Sequence, residues 1–144
     1  MEQTRAGPLL LAILVCDDII RDEETHKATL VGLFNRITAH QFPCRHPQMS
    51  VFVSLTNGHG ECSAELRLVQ RSTGEAIVSL NGKIAFPGPL AMVDMKFNLH
   101  NVTFPTAGRY SFDFFCNGEP TGSRPFEVVQ QAGAPPGPAP GGAP

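Results

Sequence analysis

Across residues 48–129 apolar side chains recur at every second position, a pattern that only an extended backbone can use. Met49, Val51, Val53 and Leu55 alternate with Ser50, Phe52, Ser54 and Thr56, and Cys62, Ala64, Leu66 and Leu68 alternate with Glu61, Ser63, Glu65 and Arg67. Val93, Met95, Phe97 and Leu99 do the same against Asp94, Lys96, Asn98 and His100, and no helical stripe fits those positions. Successive residues of a strand point to opposite faces, so period two reads as a half-buried strand. Residues 9–13 and 28–37 add two strands upstream. Tyr110, Phe112, Phe114 and Cys116 close the set, paired with Phe126 and Val128 across a loop over residues 117–124. Asn57-Gly58-His59-Gly60, Ser72-Thr73-Gly74-Glu75 and Asn81-Gly82 supply the turn chemistry between strands. The charged stretch 18–27 reads as a loop with at most one turn of helix. About eight strands at this spacing predict an all-β fold, an antiparallel β-sandwich of immunoglobulin-like or C2-like type.

One local pattern favours immunoglobulin-like connections. In Ala107-Gly108-Arg109-Tyr110 a glycine stands two residues before a tyrosine at a strand start, the arrangement of a tyrosine corner. Tyr110 is the single tyrosine beside ten phenylalanines, so a structural partner is expected for its hydroxyl, with Gly108 shaping the turn.

Domain limits follow from composition. Residues 132–144 contain only Ala, Gly and Pro, which bury little area and cap no helix, so a disordered tail is expected there. Residues 1–8 are expected to be a flexible N-terminus and 9–131 the folded domain. The apolar run 9–16 is far short of the ~20 residues that span a bilayer, and neither a signal-peptide n-region nor an A-x-A site accompanies it. A cytoplasmic protein is expected, whose four widely spaced cysteines are thiols with no C-x-x-C pair. A net charge of −2, with no Lys or Arg run, argues against nucleic-acid and membrane partners.

Ala12-x-x-x-Cys16-Asp17, Lys27-x-x-Leu30-x-Gly32-Leu33-Phe34, Phe42-Pro43, Gly108-x-Tyr110-x-Phe112 and Phe126-x-Val128 resemble the motifs of a bacterial family of small β-sandwich proteins of unknown function. The resemblance spans roughly residues 9 to 130. It implies a fold and a bacterial origin, and it brings no catalytic residue or cofactor.

Signatures of known chemistry are absent: there is no G-x-S-x-G, Walker loop, G-x-G-x-x-G or H-E-x-x-H. Asp17, Asp18, Asp22, Glu23 and Glu24 form an acidic cluster of the kind that holds calcium at the end of a sandwich, against a plainly solvated loop. His40, Cys44 and His46 are soft ligands, and Cys44-x-His46 on an extended segment would share one face, although a fourth ligand is wanting. Four cysteines and five histidines single out no nucleophile–base pair. Phe52, Ile77, Phe115 and Val129 interrupt the polar side of their strands and form a candidate interface patch. The reading is a non-enzymatic binding or assembly module with a protein partner or self-association and no cofactor. The alternative is a metal-dependent, calcium- or zinc-using, ligand-binding sandwich.

Overall fold

The computed structural model describes residues 7–132. The expected flexible N-terminus and Ala/Gly/Pro tail therefore lie almost wholly outside the described residues. Nine strands follow one another: β1 (Leu9–Arg21), β2 (Ala28–Leu33), β3 (Arg36–Ala39), β4 (Cys44–Thr56), β5 (Gly60–Gln70), β6 (Ala76–Phe86), β7 (Val93–Phe104), β8 (Gly108–Cys116) and β9 (Glu119–Gln130). They form two sheets, of order β2-β1-β4-β7 and β3-β9-β8-β5-β6. The all-β expectation holds, with no helix among the described residues.

Several local expectations are corrected. Residues 28–37 are two strands, because Gly32 at φ 69° and the Phe34-Asn35 step turn the chain out of one sheet and into the other. β3 then pairs with β9 in parallel, so the fold is not wholly antiparallel. Residues 18–27 contain no helical turn: β1 continues to Arg21, and the Asp22 carboxylate accepts from the N–H groups of Glu24 and Thr25 at 2.8 Å each to form a tight turn. Asn57–Gly60 is no hairpin, since β4 and β5 belong to different sheets, and Asn81-Gly82 lies inside β6. The last hairpin turns in two residues, Asn117 at φ 51° and Gly118 at φ 81°, with β9 already formed at Glu119.

One buried cluster draws on both sheets, with Val15, Met49, Val51, Val53 and Leu55 from one and Leu66, Leu68, Phe112, Phe114 and Phe126 from the other. Phe104 packs edge-on to Tyr110 and stacks on Phe126 at 6.1 Å. The Tyr110 hydroxyl donates to the Thr106 carbonyl at 2.7 Å, which is the corner bond expected of it.

The alternation changes phase at matching points of two neighbouring strands. His100 and Asn101 of β7 are both exposed, Asn101 adopts φ 53°, and the buried positions shift from Phe97 and Leu99 to Val102 and Phe104. Opposite them, Pro47 and Gln48 of β4 are likewise consecutive exposed residues. The shift turns Cys44 and His46 towards the core side, with the His46 ring 5.7 Å from Phe34.

Candidate functional site

β1 is flanked by β4 along its first half and by β2 along its second, with β4 pairing ending at Cys16–Ser50. Beyond that point Cys16, Ile19 and Ser50 are all buried. Cys16 and Ile19 stand outside the main core cluster, and Lys96 of β7 donates to the Ile19 carbonyl at 3.4 Å. In a flat sheet Lys96 lies opposite Phe52, and Phe52 opposite Leu14. Ile19 would then be five residues further on, about 17 Å, which a lysine cannot span. The β1–β2 hairpin therefore leaves the plane of its sheet.

At the root of this hairpin a cavity of about 380 Å³ opens between β1, β2, β3 and β4, lined among others by Asp17, Leu33, Phe34, Arg36, Thr38 and His46. Gly32 lies directly against the Asp17 side chain, so a Cβ at that position would meet the carboxylate, and φ 69° independently favours glycine. The Arg36 guanidinium stands 3.3 Å from the Glu127 carboxylate with both side chains largely exposed. Within the cavity wall the Nε2 of His46 is buried and has no hydrogen-bond partner. A buried imidazole nitrogen without a partner has hydrogen-bonding capacity to offer an incoming polar group. Leu33 (59%), which lines the cavity, and Val31 (41%) and Ile20 (53%) further along the hairpin expose apolar side chains. The register sets Val31 opposite Asp18 and Thr29 opposite Ile20, so Ile20 and Val31 share one face of the hairpin, while Leu33, paired with the buried Cys16, follows the turn at Gly32.

The acidic residues do not converge. Asp17 faces the cavity, Asp18 accepts from the Ile19 N–H at 2.8 Å, and Asp22 caps the turn, with Glu23 and Glu24 exposed there. The two backbone donors hold the Asp22 carboxyl below the usual carboxylate range. His40 is exposed, and its carbonyl accepts from the Gln130 side chain at 3.0 Å. Cys44 and His46 follow on β4, and burial pushes the Cys44 thiol up. Among the described residues no three His, Cys, Asp or Glu side chains gather closely enough to hold a metal ion. All four cysteines are free, and burial also raises Cys16 and Cys116.

The four-residue apolar patch is corrected as well. Phe52 lies on β4, and Phe115, Val129 and Ile77 lie on the other sheet, on β8, β9 and β6. Ile77 packs against the core. Phe115 lies beneath the Arg67 guanidinium, 4.4 Å from its ring centre, and none of the four is among the exposed large apolar residues. The exposed large apolar residues are Leu9, Leu11, Ile20, Val31, Leu33, Leu90 and Met92. Of the three on the β1–β2 hairpin, Ile20 is hidden by the reading of 18–27 as a loop, whereas Val31 and Leu33 fall in the stretch 28–37 read as one strand. The signal that could have found them is the uncharged run Ala28–Leu33 with Val31 and Leu33 on either side of Gly32.

The sequence profile of a family of unknown function, DUF6941, matches residues 11–129. The chain belongs to that family. No curated protein matches it. Among solved structures, the chain is similar to the Pseudomonas fluorescens alkylpurine DNA glycosylase AlkC bound to DNA containing an abasic site analog, with a TM-score of 0.50 and 17% identity. The match covers 86% of this chain and 31% of the glycosylase, so the DUF6941 chain spans about a third of that protein's length. At this identity the likeness is one of fold. Among the described residues no helix is long and apolar enough to cross a membrane.

Proposed function

We propose that this DUF6941 protein is a non-enzymatic binding or assembly module, a cytoplasmic immunoglobulin-like sandwich that takes a protein partner on its β1–β2 hairpin. The observation that carries the reading is the exposure of Ile20, Val31 and Leu33 at and beside the cavity of Asp17, Arg36, Thr38 and His46. Apolar side chains left bare next to a recess with a few polar groups are the usual anatomy of a recognition surface. The Tyr110–Thr106 bond supports the immunoglobulin-like connection. The net charge of −2 supports a protein partner over a nucleic acid.

Selection of displayed random peptides on the immobilised full chain tests the reading. Recovered peptides are expected to lose binding to Leu33→Lys and to retain it on Phe115→Lys. Peptides indifferent to Leu33→Lys, or no enrichment at all, would overturn it. A calcium or zinc titration addresses the metal-dependent alternative, since a bound ion raises the thermal midpoint by mass action and a protein without a site shows no shift.

A further inference from the structure

The recognition surface borders an unpaired sheet edge, and the chemistry of that edge names an occupant. The sheets end in β2, β7, β3 and β6. Edges that face water are normally blunted by shortness, charge or bulges. β3 is four residues long and carries Arg36; β7 carries Asp94, Lys96 and His100; β6 carries Lys83. β2, Ala-Thr-Leu-Val-Gly-Leu, holds no charge at all and exposes Val31 and Leu33. The first half of β1 also lacks a second neighbour strand; there Leu10 packs against Gly122 of β9, and Leu9 and Leu11 are exposed, but this stretch lies inside the strand order and not at the end of a sheet.

The hydrogen-bonding phase of β2 follows from its turn. The Asp22 N–H donates to the Lys27 carbonyl at 2.9 Å, so this is a bonded pair, and in an antiparallel ladder bonded pairs alternate. Thr29 and Val31 then bond to β1, and Ala28 and Leu30 turn their N–H and C=O groups to the open side. Now place a second copy antiparallel across a two-fold axis with Leu30 opposite Leu30. Ala28 falls opposite Gly32, Thr29 opposite Val31, and Lys27 opposite Leu33. No like charges meet, the exposed Val31 gains a β-branched neighbour, and the Leu33 side chain gains the aliphatic stem of a lysine. Such an isologous contact is the commonest route to a closed dimer.

We propose that the partner taken by the hairpin is a second copy of this chain, joined to it β2 to β2 by an antiparallel ladder across the two open edges. The inference rests on the hairpin being the recognition surface, and the test separates the two. Size-exclusion chromatography with light scattering is run on the full chain, on Ala28→Pro, on Val31→Lys and on Leu90→Lys. Ala28→Pro removes an N–H that points to the open edge at the first residue of a strand, where proline is tolerated. Leu90, 90% exposed in the β6–β7 connection, is the control. A dimeric native chain is expected. Ala28→Pro and Val31→Lys should raise its dissociation constant about tenfold or more, with thermal midpoints matching the native chain's at dilutions where all are monomeric, and Leu90→Lys should leave it dimeric. Should Ala28→Pro fail to fold, Val31→Lys decides. A native monomer at high micromolar concentration overturns self-pairing, and the recognition surface then stands or falls with the displayed peptides. A native dimer that neither variant weakens overturns self-pairing through this edge.

Discussion

The two sheets treat their outward faces differently. On β5, β8 and β6 the outward residues are tied into a polar network: Arg67 bonds Glu65 through two nitrogens at 2.9 and 3.1 Å, Ser79 bonds Glu65 at 2.8 Å, and Ser111 joins Arg71 to Asp113. Phe115, the aromatic residue of this face, is roofed by Arg67. On the β1–β2 hairpin of the other sheet, Ile20, Val31 and Leu33 have no such cover. An aromatic on a polar face is therefore poor evidence for an interface when a guanidinium stands diagonally across on the neighbouring strand, as Arg67 does two positions beyond the residue opposite Phe115. Bare apolar residues on an uncharged edge are better evidence.

The contrast yields predictions that begin with the core common to both sheets. Phe104→Ala should destabilise the chain most, by about 3–5 kcal/mol, because the ring is wholly buried between Tyr110 and Phe126. Urea unfolding measures it, and a loss below about 1 kcal/mol would mean that the two sheets do not share a core. Phe115→Ala should cost about 1–2 kcal/mol, from half-buried area and the lost cation–π contact, with no change in self-association. Leu33→Ala should be within about 0.5 kcal/mol of neutral in the same assay and weaken association. If the two substitutions exchange these effects, the contrast between the faces is reversed.

Tyr110→Phe should lose about 1–2 kcal/mol, since the ring stays and the Thr106 carbonyl loses its donor. A neutral substitution would remove the corner bond as a support of the proposed immunoglobulin-like connection.

The smallest effect concerns acid. The Asp22 carboxyl is held below its ordinary value by backbone N–H donors, so its contribution is present above the unfolded-state pKa and is lost as pH falls through the lower folded-state value. A carboxyl-carbon NMR titration should place its midpoint below those of ordinary aspartates, and Asp22→Asn should flatten the acid limb of the stability curve slightly. A midpoint in the ordinary range contradicts the capped turn.

Period two made most of the fold legible. The alternations in β4, β5 and β7 translate directly into buried Val51, Leu66 and Phe97, and the Gly108–Tyr110 spacing into the corner bond. What it concealed were the places where backbone, not hydropathy, decides. Gly32 and Asn101 at positive φ redirect a strand and reverse an alternation, and no periodicity marks such residues in advance. The candidate site depends on both: Gly32 opens the cavity beside Asp17, and the change of phase in β4 and β7 brings His46 into its wall. Asp17 and His46 were visible as separate ligand candidates, but their placement in one cavity wall depends on four strands that only the folded register aligns. On the exposed hairpin, charged 18–27 masked the end of β1 and with it Ile20, while Val31 and Leu33 lay in 28–37, where nothing in the alternation marks a strand as an uncovered edge.

Amide hydrogen exchange at Ala28 and Leu30, followed at high and low protein concentration, tests the central claim most directly. If the β2 edge is the contact surface between copies, both amides exchange slowly in concentrated solution and fast on dilution, while Thr29 and Val31, bonded to β1, change little. Rapid exchange of Ala28 and Leu30 at every concentration would contradict the account.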